Sequence, residues 1–253
     1  MKPTFRKLDF HRLLATALIL SACPTFAIRP LSTDRPDVTE SPHTVDAGHF
    51  QFEMEIANWS RDEYSLAELN AKVGLDASND LQLVLPFFTH LDDGSEGFGD
   101  IQIRLKHNLW GNDEGSTALA VMPFIKLPTA EDGLGNGEFE GGIIVPFGFE
   151  GPAGWECAVM AEVDYEAGED ERGCHFIAVT SATASHSITE STGVFIELVS
   201  AISTESSADW EAYFNTGLVY AIADLWQLDG GVRIGLTDAS LDFMPFLGLS
   251  MKL

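Results

Sequence analysis

Charged residues of this chain recur at every second or fourth position inside otherwise apolar stretches. Glu53 and Glu55, Glu68 and Lys72, Arg104 and Lys106, and Asp229 and Arg233 are such pairs, while Lys126, Glu197 and Glu211 stand singly in similar surroundings. Groups of both signs on one face of an extended segment pair with each other or hold ions and polar solutes; they do not by themselves make or break bonds. Catalytic groupings are thin by comparison. The seven histidines are scattered and none has a His-x-x-x-His spacing, so no metal site and no cofactor are expected. His186 and Ser187 are adjacent, and neighbours on a strand point to opposite faces, so they cannot act together as base and nucleophile. No Gly-x-Ser-x-Gly elbow occurs, and residues 133–137 (GLGNG) read as a loop rather than a phosphate cradle. The chain is not expected to be an enzyme.

The elements that carry these charges have a period of two. Over residues 48–58, Phe50, Phe52, Met54 and Ile56 alternate with Gln51, Glu53 and Glu55, which fits a strand and not a helix. The segment after Gly99 is cleaner still, with Ile101, Ile103, Leu105 and Leu109 set against Gln102, Arg104, Lys106 and Asn108. At the C-terminus Leu247, Leu249, Met251 and Leu253 alternate with Gly248, Ser250 and Lys252. About twelve strands follow, near residues 48–60, 64–76, 81–88, 99–110, 117–127, 138–149, 155–166, 174–187, 193–203, 209–222, 228–237 and 243–253. Short connections (77–80, 111–116, 150–154, 188–192, 223–227) alternate with longer acidic or glycine-rich ones (90–98, 128–137, 167–173, 204–208, 238–242), as periplasmic turns and outer loops do in outer-membrane barrels.

Residues 1–27 read as a signal peptide. Lys2, Arg6, Lys7 and Arg12 precede an apolar core of eight residues, 13–20 (LLATALIL), too short to span a bilayer. Two cleavage routes stay open: Thr25, Phe26 and Ala27 suit a general signal peptidase, whereas Leu20-Ser21-Ala22-Cys23 resembles a lipobox that would lipidate Cys23. Removal of this segment leaves 10 basic against 38 acidic residues, a formal charge of −28, and such a balance excludes nucleic acid as a partner. No stretch of 18 apolar residues exists to form a membrane helix, but strands cross membranes with a weaker signature.

The expected fold is an all-β antiparallel transmembrane barrel of about twelve strands (48–253) behind an irregular N-terminal arm (28–47), in the cell outer membrane of a Gram-negative bacterium. A soluble β-sandwich also alternates. The charged ladder favours the barrel, whose lumen holds charges in pairs or in water. Aromatic belts help little at this stage: Trp155 and Trp210 have outward parity, Trp59 and Trp110 fall on the polar parity, and Trp226 falls in a turn.

Several segments resemble one known family. Residues 32–45 (STDRPDVTESPHTV), running into Asp46-Ala47-Gly48-His49-Phe50-Gln51-Phe52-Glu53, look like the opening motif of the outer-membrane family called Putative MetA-pathway of phenol degradation. Residues 97–101 (GFGDI), 127–133 (LPTAEDG), 227–231 (QLDGG) with 235–238 (GLTD), and 246–250 (FLGLS) fit the same pattern in order and spacing. The resemblance implies a roughly twelve-stranded barrel that passes small molecules, including hydrophobic or aromatic ones. The terminal Leu253 departs from the aromatic residue that the barrel assembly machinery usually reads.

Pro36 and Pro42 forbid a regular helix or central strand across the arm. Either it is a small plug, with Arg35 meeting lumen acids such as Glu53 or Glu55, or it is a tether on the periplasmic rim. The charged ladder (Glu53, Glu55, Glu68, Lys72, Arg104, Lys106, Lys126, Glu197, Glu211, Asp229, Arg233) with Arg35 supplies the candidate lumen and transport residues. Cys157 and Cys174 flank one hairpin; a loop centred near residue 169 sets Cys157 opposite residue 181, out of disulfide reach of Cys174. Two functional classes remain: a passive pore or carrier for a small solute, and a non-conducting barrel whose acidic loops bind lipopolysaccharide through divalent ions. Both sit in outer-membrane lipid. Asp92, Asp93, Glu96, Glu131, Asp132, Glu169, Asp170 and Glu171 outweigh Arg172 in the outer loops, so an open pore is expected to prefer cations. Mass spectrometry of the mature protein is expected to find Ile28 as a free N-terminus; a diacylated Cys23 in its place would establish the lipobox route.

Overall fold

The computed structural model describes residues 28–60, 63–113, 115–167, 173–205 and 208–253. The expected signal segment 1–27, with Cys23, and the loop charges Glu169, Asp170, Glu171 and Arg172 lie outside the described residues. Thirteen strands follow in order: β1 Phe50–Trp59, β2 Glu63–Gly74, β3 Asn79–Leu91, β4 Glu96–Gly97, β5 Ile101–Trp110, β6 Thr117–Leu127, β7 Glu140–Glu150, β8 Glu156–Ala167, β9 Cys174–Ser187, β10 Thr192–Ser203, β11 Glu211–Ala223, β12 Trp226–Gly235 and β13 Phe243–Lys252. Each long strand pairs antiparallel with its neighbours, and β1 pairs with both β2 and β13. The sheet is therefore a closed ring of twelve strands, with two-residue β4 folded back on β3 outside the ring. Closure leaves no unpaired edge, the condition for a sheet to stand in hydrocarbon.

Strand boundaries fall where alternation places them, with one large difference. β3 extends from Asn79 to Leu91, against the expected 81–88. Inside a barrel a polar residue of inward parity does not end a strand: Asp80 pairs with Lys106 across the ladder and is fully buried.

Burial is inverted relative to a soluble sandwich. Interior parity carries Gln51, Glu53, Lys72, Gln82, Lys106, Glu197, Asn215, Asp229 and Ser250, all buried. Outward parity carries Leu83, Ile103, Leu105, Ile125, Ile143, Val163, Ile196, Leu198 and Leu218, all exposed. Neighbours Glu197 and Leu198 are 1% and 56% exposed. An apolar surface continuous around the ring exceeds what water-soluble proteins expose and suits lipid.

Two bulges correct the expected parity of the tryptophans. The β1–β13 register jumps from Glu55↔Gly248 to Ala57↔Leu247, so Ile56 is extra and Trp59 turns outward. The β5–β6 register jumps between Asn108 and Trp110, which frees Leu109 and turns Trp110 outward too. Trp226 is not in a turn but opens β12 on the outer face. The result is two aromatic levels: Trp59, Tyr64, Tyr165, Phe176, Trp210 and Phe243 at the long-loop end, and Phe50, Trp110, Phe149, Tyr220 and Trp226 at the short-turn end. Such girdles mark the two lipid–water interfaces.

Cys157 stands opposite Ala184, three places beyond the expected partner, while Cys174 pairs with Ala167. Both are free. A substitution of Leu198 by Arg tests the outward face. It is expected to cost about 2–4 kcal/mol in bilayer refolding, measured by denaturant titration in lipid vesicles. A soluble sandwich with Leu198 in water would be almost indifferent to it.

Candidate functional site

The charges that the closed sheet turns inward meet the N-terminal arm. Residues 29–46 run through the lumen and make polar contacts to β1, β2, β3, β5, β8, β9, β10, β12 and β13. Prolines 36 and 42 keep the segment out of any ladder, so its backbone groups remain free to bond with side chains.

Four clamps hold it. The Arg35 guanidinium donates to Glu55 at 2.8 Å and to Asp229 at 2.9 Å, joining β1 to β12. Gly248 lies directly beneath that guanidinium; a Cβ there would overlap its nitrogens. Arg233 bonds the same Glu55 oxygen at 3.0 Å and packs 4.9 Å over the Phe246 ring. Asp34 bridges Lys72 and Lys106, and Lys72 also meets Glu53. Glu40 accepts from Arg104 at 2.7 Å. At the short-turn end Asp46 takes Arg29 at 2.7 Å and Lys252 at 3.2 Å. Removing one partner of a buried ion pair costs about 3–5 kcal/mol, because the other is left uncompensated.

Two wall carboxylates are satisfied by the arm's backbone. Glu53 accepts the amides of Asp34 at 2.9 Å and Arg35 at 3.2 Å. Glu197 accepts the amides of Val38 at 2.9 Å and Thr39 at 2.7 Å, the Thr39 hydroxyl at 2.6 Å and Asn215 Nδ2 at 2.7 Å. Glu197 has no cationic partner among the described residues, so these dipoles hold its charge. Thr39 Oγ1 is also 2.7 Å from Ser181 Oγ. Val38 packs on the apolar cluster of Met122, Ile144 and Met160.

All twelve candidate residues read from the sequence have inward parity or belong to the arm. Arg35, Glu53, Glu55, Lys72, Arg104, Lys106, Glu197, Asp229 and Arg233 gather around it. Lys126 stands apart with Glu140 near the long loops. Glu211 accepts from the Tyr213 hydroxyl at 2.7 Å. Glu68 pairs with Glu55 across the ladder and stays exposed to the lumen without an ion pair among the described residues. Sequence reasoning missed Asp34, Glu40, Asp46, Asp80, Asn215 and Lys252. Parity alone offered Asn215 and Lys252; the arm acids gave no signal, since their partners lie on remote strands.

Two cavities lie in the lumen. The larger, about 710 Å³, opens at the short turns between the arm and the wall from β6 to β12, and Asp37, Thr39 and Glu40 line its deep end. The smaller, about 120 Å³, lies toward the long loops and is lined by Gln102, Arg104, Phe124, Lys126, Glu140, Glu162, Asp164 and Glu166. At the long-loop rim, the Asp93 carboxylate accepts the Ser95 amide, which holds it below the usual carboxylate range.

Comparison with known proteins gives the same architecture. The NanC porin superposes with a TM-score of 0.60 at 8% identity, covering 81% of this chain and 100% of its own. An outer membrane channel from Pseudomonas putida F1 superposes with a TM-score of 0.59 at 11% identity, covering 88% and 100%. At such identities the likeness concerns the fold. No curated protein sequence matches the chain. The profile of one family matches residues 33–253, nearly the whole of the barrel and its arm, and the chain therefore belongs to the family described as Putative MetA-pathway of phenol degradation.

Proposed function

We propose that the protein is a passive outer-membrane channel for small solutes, plugged by its own N-terminal arm, with the short turns and both chain ends facing the periplasm. The observation that carries this reading is the arm's position between two cavities that open toward opposite ends of one polar lumen. A lumen meant only to be filled would be closed by wall side chains, as in small barrels. Here a detachable segment does the filling, through ion pairs and amide bonds that water can replace.

The solute class follows from the charges left over. Every lysine and arginine seen in the lumen faces a carboxylate. Asp37, Glu68, Glu162 and Asp164 have no such partner among the described residues, and Asp92, Asp93, Glu131 and Asp132 are exposed at the rim. A net negative pathway concentrates cations and excludes anions, so polar, positively charged solutes suit it better than the hydrophobic or aromatic ones of the family's label. No residue is proposed to do catalysis.

The test pins the plug. Thr39→Cys with Ser181→Cys replaces two hydroxyls 2.7 Å apart, in a background where Cys157 and Cys174 are alanine. Single-channel recording in a planar bilayer is expected to give low conductance when the pair is oxidised and severalfold higher, cation-preferring conductance after reduction. Equal conductance in both states, or none in either, would contradict the plugged channel and favour the non-conducting barrel.

A further inference from the structure

The two cavities meet at one contact. Glu40 lines the deep end of the larger cavity and Arg104 lines the smaller one, and the two side chains bond at 2.7 Å. Arg104 is otherwise held by Gln102, whose Oε1 accepts from Nε at 3.1 Å and Nη2 at 2.8 Å, and its guanidinium carbon stands 6.0 Å over the Phe124 ring. Glu40 comes from the arm, is nine-tenths buried, and beyond Arg104 its carboxylate faces that of Asp34, with no second cation among the described residues bonded to it. The neighbouring carboxylate Asp34 is already occupied by Lys72 and Lys106.

We infer that the Glu40–Arg104 pair is the selecting point of the pathway and that it is shaped for small organic cations bearing an ammonium or guanidinium group. A carboxylate, an amide carbonyl and an aromatic face are the three groups that bind such a cation, and the Arg104 side chain occupies that place as an internal stand-in. An arriving cation exchanges with Arg104: its N–H groups take Glu40 and Gln102 while its charge lies over Phe124. Arg104 then swings toward Glu162 and Asp164, which line the same cavity and form no ion pair among the described residues. The exchange moves no net charge in the wall, so it carries little electrostatic cost. An anion finds no such exchange, since Arg104 is already neutralised and carboxylates stand on both sides.

This inference rests on the plugged-channel reading and is tested separately from it. Arg104→Gln and Glu40→Gln each break the pair at similar volume and remove charges of opposite sign. In bi-ionic recordings with potassium chloride on one side and guanidinium chloride on the other, the unaltered protein is expected to pass guanidinium in preference to potassium. Glu40→Gln is expected to abolish that preference and to shift the cation–anion reversal potential toward anions. Arg104→Gln is expected to raise conductance severalfold and to shift the potential toward cations. Potentials that move together, or that do not move, would overturn the selecting role. If the reducible Thr39–Ser181 pin still controls conductance in that event, the plug stands and only this assignment falls.

Discussion

A barrel that crosses a membrane must turn its polar face inward, and each charge enclosed there needs water or a partner. In this protein the partner is the chain's own beginning. The clamps of Arg35 on Glu55 and Asp229, of Asp34 on Lys72 and Lys106, and of Asp46 on Lys252 tie the half of the ring from β12 through β1 to β5 to a segment that has no ladder of its own, and Asp46 also holds Arg29 within that segment. An ion lifted out of water loses several kcal/mol of hydration, and only good pairing geometry returns it. The arm's course is thus set by the wall charges, and the wall charges are tolerable because the arm is there.

That mutual dependence explains details that packing alone would not. Gly248 leaves room for a guanidinium where any side chain would push it off Glu55. Glu53 on β1 and Glu197 on β10 are both met by consecutive arm amides, at Asp34–Arg35 and Val38–Thr39. At Glu197 these neutral donors add no positive charge, whereas Glu53 also meets Lys72. Apolar anchoring is smaller: Val38 packs on the Met122, Ile144 and Met160 cluster, and Val45 is buried. An arm fixed mainly by polar contacts can leave and return, since water competes for each of them; an apolar plug would stay.

Much of the wall was legible because a strand's period of two is local. The ladder Arg104, Lys106, Asn108 against Ile103, Leu105 needs only its own neighbours to be read. The bulges at Ile56 and Leu109 were hidden for the converse reason: each depends on a partner strand's register, and each reversed the reading of a tryptophan, Trp59 or Trp110. The start of β3 was placed late because Asp80 looks like a turn residue until an interior is available to receive it. The arm's prolines announced irregular chain but not its destination. Val38 finds Glu197 across 159 positions and Arg35 finds Asp229 across 194, and nothing in a stretch of ten residues encodes such a meeting. Arg35 with Glu55 was foreseeable as charge complementarity; Glu40 with Arg104 was not.

The account stands on the arm lying in the lumen as a bonded segment, and amide hydrogen exchange reads that directly. The amides of Asp34, Val38, Thr39 and Val45 donate at 2.9, 2.9, 2.7 and 2.9 Å to Glu53, Glu197, Glu197 and Asp80, and their exchange is to be followed in protein reconstituted into lipid vesicles. They are expected to exchange far more slowly than those of the exposed loop around Gly133, by a local opening short of global unfolding. Exchange of residues 33–45 at the rate of an unstructured peptide would place the arm outside the barrel and contradict the account.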